Sequence, residues 1–462
     1  MPNAANAPCK LVQWRVQGDV RACGCAVTAV YTMRLLVFVL FITAVCAKHE
    51  LYEGWKSYFV APSSQEQVKT LHDMADVYKL DFLSAAVLGR EGLVLVKPNF
   101  QQPFENTLKE LGIHYSIHSK NVKTALDFDD EAIERRHREV ELKNGGRSLP
   151  YDNYQEWEVI DEYMQDIARR YPQTVTLVTP ANSFEGRPLR YLKISTTNFE
   201  DTSKPVIFID GGIHAREWIS PPTVTWAIHK LVEDVTEPDL LNDFDWILLP
   251  VVNPDGYKFT FTNERFWRKT RSTDQHILSN IWPGVDGNRN YDFFWNTVGT
   301  SNFPSSDVFA GSRPFSEIET RVVRDIFHEY LPRMSLYLTM HSYGSMILYP
   351  WGHDGSLSPN VFALHVVGVE MAQTIDAISH PSFPRYLVGN SVHVIGYAAS
   401  GAAEDYAHSI GVPLAYTYEL PGLSTGLQGF VLDPVWIEQV CWETWEGIIV
   451  GARRSKDFFR RK

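Results

Sequence analysis

The sequence predicts an α/β fold, a mixed β-sheet flanked by helices, preceded by a small α+β unit. Three observations predict it. Near-continuous apolar runs at 206–209, 247–252 and 336–338 have the pattern of strands buried on both faces. Helical segments separate those runs, as they do when helices cover both faces of a sheet. The stretch 48–121, by contrast, mixes two short helix patterns with two short strands and leads into a charged connector.

In chain order, Met33-Arg34, the apolar run 35–42, and the small residues Val45 and Ala47 before Lys48 form a signal-peptide pattern over 33–47. The run is too short to span a bilayer comfortably. Residues 1–32 read as a non-native extension translated upstream of a start at Met33. In the next block, Val68, Leu71, Ala75 and Tyr78 recur at helical spacing, and 93–96 reads as a strand ending at Pro98. Phe104, Leu108 and Leu111 predict a second helix stopped by Gly112, and 114–117 alternates like a strand. Residues 127–143 are crowded with charge, acidic first and basic later, which suits a solvated connecting helix. Asn144-Gly145-Gly146 ends it, leaving Arg147 in an exposed stretch where proteolytic nicking concentrates. This gives a first unit over 48–147 and a larger one over 148–462. The larger unit opens with an amphipathic helix, 158–170, with Ile160, Met164, Ile167 and Ala168 inward.

Hydrophobic residues make up 44% of the 462, enough for a real core. The formal net charge is -12 with no basic stripe, which argues against a nucleic-acid partner. Cys9, Cys23, Cys25 and Cys46 fall early, and Cys441 stands alone near the end. Without its first stretch the chain has one cysteine, so stability must come from core burial rather than cross-links.

The chemistry gathers at strand ends, where ligands bind in such folds. His214 and Glu217 follow the strand 206–210 and two glycines. Three residues apart, on a helix or tight turn, they share one face. Imidazole nitrogen and carboxylate oxygen suit zinc. His341, just after the apolar strand 336–340, is the candidate third ligand, leaving a fourth position open. An isolated His-x-x-Glu pair is usually an ordinary surface or core pair; the flanking strands and glycines make this one a candidate.

His214-Ala215-Arg216-Glu217-Trp218 resembles the signature of the pancreatic-type zinc carboxypeptidases, the A/B subfamily. The resemblance continues in family order through Asn253-Pro254-Asp255-Gly256-Tyr257, Phe266-Trp267-Arg268-Lys269-Thr270-Arg271, Gly287-Asn288-Arg289-Asn290, His341-Ser342-Tyr343 and Leu348-Tyr349-Pro350. Ile395-Gly396-Tyr397-Ala398-Ala399-Ser400-Gly401 and Thr417-Tyr418-Glu419-Leu420 complete it. It covers nearly all of 148–462, and 48–147 resembles the family's activation prosegment. The resemblance implies one Zn2+ per chain on His214, Glu217 and His341, with Glu419 as catalytic base and Arg268 as the cationic clamp on the oxyanion. It also implies that Arg289, helped by Asn288, anchors the substrate carboxylate. Tyr397 would close over the substrate end, and Arg216 would make a secondary substrate contact. Partners would be peptide and protein C-termini and an activating trypsin-like protease cutting after Arg147. The expected product is a secreted monomer with no nucleic acid and, once the signal is removed, no membrane.

In the family the residue three beyond the glycine matching Gly401 faces the specificity pocket. Here it is Glu404, followed by Asp405. A buried carboxylate there selects Lys or Arg ends, as in B-type members, because an apolar side chain would leave the charge unpaired. The alternative has Glu404 in solvent and an A-type apolar pocket. B-type members carry aspartate at this position, one methylene shorter. Ala402-Ala403 replaces a glycine-serine pair, 421–425 replaces an Arg-Asp pair, and Trp282 stands near where vertebrate members have a disulfide cysteine. Two rival readings are weaker. A catalytically dead member would lack a ligand or the base. An amidohydrolase for small acylated amino acids would not need Arg289 and Tyr397 together, nor a prosegment and signal.

Overall fold

The computed structural model describes residues 48–143, 149–423 and 426–459. The signal segment 33–47, the extension 1–32, the cut at Arg147, and Ser424 and Thr425 of the departing loop lie outside the described residues.

From His49 the described chain packs as one unit built on two sheets. The first comes from β1 (Lys56–Ala61), helix α1 (Gln65–Tyr78), β2 (Asp81–Ser84), β3 (Gly92–Val96), helix α2 (Pro98–Glu110) and β4 (His114–Ser119). Its order is β2-β3-β1-β4, antiparallel throughout. The Ser64 side chain caps α1 by accepting from the Gln67 N–H at 3.2 Å, and α1 stops where Lys79 turns left-handed. Tyr58, Val60, Leu71, Met74, Phe104 and Leu108 fill this small core. Leu111, expected on the buried face of α2, is instead exposed at its C-cap. The connecting helix α3 (Val122–Lys143) starts before the charged run. Val122 and Leu126 are buried against Tyr52 and Trp55, so apolar packing sets its beginning.

The second sheet needs the larger unit: α4 (Trp157–Arg170), β5 (Val175–Asn182), β6 (Pro188–Ile194), β7 (Val206–Gly211), α5 (Ser220–Val232), α6 (Asp239–Asp243), β8 (Asp245–Leu249) and α7 (Pro254–Thr262). Then come α8 (Ile318–Tyr330), β9 (Met334–Ser342), β10 (Met346–Tyr349), α9 (Val361–Ile378), β11 (Leu387–Asn390), α10 (Ser391–Ile395), α11 (Ala403–Ser409), β12 (Leu414–Leu420) and α12 (Ile437–Phe459). The strand order is β11-β10-β12-β9-β7-β8-β6-β5. The four inner strands, β12, β9, β7 and β8, are parallel, and antiparallel pairings join the outer strands to them.

Side-chain alternation divides the core. Ile207, Ile209, Leu336 and Leu338 face a layer holding α4, α5, α9 and α12; Phe208, Ile247 and Tyr337 face α8 and α11. Each fully buried Leu or Ile there contributes about 1.5–3 kcal/mol relative to an exposed one. Helix α9 is long and apolar enough to cross a membrane by length and composition, yet Leu364, Val367, Met371 and Ile375 pack into the core beside α12. In α4 the buried face is Ile160, Tyr163, Met164 and Ile167, with Ala168 half-buried. Cys441 is buried and free.

Candidate metal centre and substrate groove

The inner strands β7, β9 and β12 end together and build the site. After Gly211 the chain reverses at Gly212, whose φ of +68° favours glycine. The Ser220 hydroxyl accepts from the Gly212 N–H at 2.7 Å and donates to the Met340 carbonyl at 2.7 Å, tying the turn to β9. His214 and Glu217 sit in this tight turn, not on a helix, with the Glu217 N–H reaching the His214 carbonyl at 3.3 Å.

One donor atom each from His214, Glu217 and His341 lies within 4.8 Å of the others, and all three side chains are buried. His214 Nδ1 is 2.8 Å from Glu217 Oε1. His341 Nδ1 is 3.1 Å from Glu217 Oε2 and 3.0 Å from His214 Nδ1. Two imidazoles and a carboxylate converging this closely fit a divalent metal such as zinc. Burial alone would raise the Glu217 carboxyl, but the two imidazoles outweigh it and hold the group below the usual range. Burial pulls both histidines down. Arg268 lowers His214 further, while Glu217 brings His341 up to about 9.

Asp286, which sequence reasoning passed over, organises this centre. Its Oδ1 lies 3.0 Å from His214 Nε2 and accepts from the Asn288 N–H at 2.9 Å; its Oδ2 accepts from Arg268 Nε at 3.0 Å. Burial opposes the charge, yet Arg268 and His214 hold the Asp286 carboxyl well below its ordinary value. Arg268 Nη1 is 3.9 Å from Glu217 Oε1, so the guanidinium borders the metal ligands. Glu419 pairs with His341 in the parallel β12–β9 register. Burial and the neighbouring Glu217 push its carboxyl up to about 8.

The remaining expected residues are held by contacts of their own. Asn288 Oδ1 accepts from the Ala403 N–H at 2.8 Å. Arg289 donates to the carbonyls of Asn288 at 2.7 Å and Gly299 at 3.0 Å. Glu404 lies at the start of α11 and is buried, against the solvent-facing alternative. Its Oε1 is 3.5 Å from the Ser391 hydroxyl; its Oε2 makes no hydrogen bond of its own, though the Glu404 backbone N–H and the Thr417 hydroxyl lie near the carboxylate. Burial, then Asp405, raises this carboxyl to about 7. Asp405 points elsewhere and accepts from the Gly352 and His353 N–H groups. Gly422, in the segment 421–425, and Gly429 beyond it both pack against Tyr343.

The N-terminal unit contacts several of these residues and their neighbours. Arg216 donates to Asp81 of β2 at 2.9 Å and to the Phe82 carbonyl at 3.2 Å. Arg90 donates to the Ile395 carbonyl at 2.7 Å, with Tyr397, Glu419 and Tyr343 around its charge. His72 stands 5.8 Å from the Tyr397 ring. Tyr52, Trp55, Leu83 and Leu93 share an apolar cluster with Phe266, Leu427 and Phe430.

Known proteins share this architecture. A zinc carboxypeptidase family model matches residues 160–447, and a carboxypeptidase activation peptide model matches 58–128. A carboxypeptidase B of Helicoverpa zea is 64% identical over 429 residues, which are 93% of this chain and 100% of that protein. A carboxypeptidase B of Astacus astacus is 39% identical over 67% of this chain and all of its own. The crystal structure of a carboxypeptidase A from Helicoverpa armigera superposes with a TM-score of 0.85 at 46% identity, covering 88% of this chain and 99% of its own.

Proposed function

The chain belongs to the zinc carboxypeptidase family, and from that membership we propose that its mature form removes lysine and arginine from peptide C-termini. It is a metallocarboxypeptidase with zinc as cofactor, made as a zymogen whose activation peptide is removed by proteolysis. In the proposed maturation the chain is secreted and a trypsin-like protease cuts after Arg147. That frees a monomeric catalytic domain, 148–462, from the prosegment, 48–147.

His214, Glu217 and His341 would hold the metal. Bound zinc supplies a Lewis acid at the strand ends and makes an adjacent water acidic enough to react near neutrality. Glu419, beside the ligands and with a raised proton affinity, takes the water proton and delivers it to the leaving amine. Arg268, locked by Asp286, presents fixed positive charge to the developing oxyanion. Arg289 and Asn288 bind the terminal carboxylate, for which a planar guanidinium is suited. Tyr397 closes over that end, and Arg216 contacts the chain further back. Arg216 and the Tyr397 loop are both engaged by the N-terminal unit, which supports the zymogen being inactive.

The preference for basic ends rests on one observation: Glu404 Oε2 is buried and makes no hydrogen bond of its own. A buried carboxylate oxygen left unpaired is costly, and a substrate ammonium or guanidinium satisfies it. The test compares trypsin-treated enzyme on two peptides differing only in a terminal Lys or Phe. Faster release of Lys supports the reading. Faster release of Phe overturns the preference, and the A-type alternative takes its place.

A further inference from the structure

Both metal-facing histidines turn Nδ1 toward Glu217, so each has Nε2 free to be held from behind. For His214 the holder is the Asp286 carboxylate at 3.0 Å. For His341 the atom behind Nε2 is the Thr339 hydroxyl, at 3.3 Å. Thr339 and His341 are two residues apart on β9 and therefore share a face. Asp210 is the register partner of Thr339 on the adjacent parallel strand β7. All three side chains are buried. Asp210 Oδ2 accepts the Tyr337 hydroxyl at 2.8 Å, while its Oδ1 has no hydrogen-bond partner.

We propose that Asp210 and Thr339 are positioning residues for the metal, acting through His341. This rests on the reading of His341 as a zinc ligand. A hydroxyl has one proton to give. Given to the unpaired Asp210 oxygen, it leaves the Thr339 oxygen able only to accept; the Tyr337 hydroxyl, also close to Thr339, spends its proton on Asp210 Oδ2, which leaves His341 Nε2–H as the donor. The imidazole proton is thereby fixed on Nε2 and the Nδ1 lone pair on the metal side. Burial raises the Asp210 carboxyl to about 6, while the Thr339 and Tyr337 hydroxyls and the nearby His341 draw it back toward the charged form. Asp286 cannot take this role for His341, because its oxygens are taken by His214, Arg268 and Asn288.

The experiment measures zinc affinity of the purified full chain by competition with a chromophoric chelator. The proteins are wild type, Thr339→Val, Thr339→Ser, Asp210→Asn and His341→Ala, with Thr339→Val also placed in the His341→Ala background. Thr339→Val keeps the shape of the side chain and removes the hydroxyl; Thr339→Ser keeps the hydroxyl. Loss of an outer partner of a ligating histidine typically weakens metal binding about 10–100-fold. That loss is expected for Thr339→Val and Asp210→Asn, with Thr339→Ser close to wild type and no further loss from Thr339→Val once His341 is gone. If Asp210→Asn fails to fold, the threonine pair decides alone. Unchanged affinity in Thr339→Val overturns the proposal, as does an equal loss with and without His341. Failure of wild type itself to bind zinc overturns instead the ligand reading on which it rests.

Discussion

Replacing Glu404 by Gln keeps the shape of the pocket floor and removes its charge. On the proposed assignment a substrate lysine or arginine would meet Oε2 in a buried setting. Removing one partner of a buried ion pair costs about 3–5 kcal/mol, because the other charge is left uncompensated. On kcat/KM that is roughly a hundredfold to several-thousandfold for a Lys-terminated peptide. A Phe-terminated peptide has no such pair and should change little. The pH dependence carries a second signature. Burial and Asp405 raise the Glu404 carboxyl to about 7, and only its ionised form balances the cation. Below that value each pH unit costs about 1.4 kcal/mol of the lysine term; above it the term is fully present. Taking the Lys/Phe ratio of kcat/KM on one enzyme cancels the titration of Glu419 and the metal centre, which both substrates share. The ratio should rise toward pH 7 and level off in the wild type, and be low and flat in Glu404→Gln. The same raised value makes the substrate-free fold lose stability as pH climbs from 4.5 through about 7, since the folded state holds that proton more tightly than the unfolded chain. A Glu404→Gln enzyme whose ratio stays within about threefold of wild type would refute the pocket assignment.

Glu419→Gln should lower kcat by about 10²–10⁴-fold, the range for a general base, with KM and zinc content little changed; a fall in zinc content would instead make Glu419 a structural prop of the ligands. Asp81→Asn carries a neutral side chain beside Arg216 at every pH, so above pH 6 nicked enzyme should be inhibited at least as strongly by its own released N-terminal unit. In the wild type, burial and Asp307 raise the docked Asp81 carboxyl from 3.8 to about 6, against the pull of Arg216. Docking therefore holds fully below the free value and weakens as pH rises through about 6, and residual activity of the nicked mixture should rise over that window. Activity that falls with pH there would reverse the sign and remove Asp81 from the account.

Much of this was legible because burial on both faces writes long apolar runs. Val206–Gly211 and Met334–Ser342 are wholly buried strands, and their ends mark His214 and His341. Boundaries shifted where packing rather than charge decides, as at Val122, where α3 begins under Tyr52 and Trp55. The short strands β10 and β11 carry too few residues to show periodicity. Asp286 was missed because a lone aspartate before Gly287 reads as a turn residue, and only folding brings it to His214, 72 positions away. Asp210 and Thr339 were passed over because each reads as a polar residue at the end of a buried strand; their adjacency is a matter of inter-strand register. Sequence left Glu404 between pocket and solvent; in the structure its side chain is buried.

The most direct test of the account uses one trypsin-treated sample and two measurements: bound zinc per chain, and products from a Lys-terminated peptide offered with a free or an amidated C-terminus. The account predicts one zinc per chain and release of the final lysine from the free peptide alone, lost on chelation and restored by zinc. Internal cleavage of the amidated peptide, or release that survives removal of the metal, would contradict it.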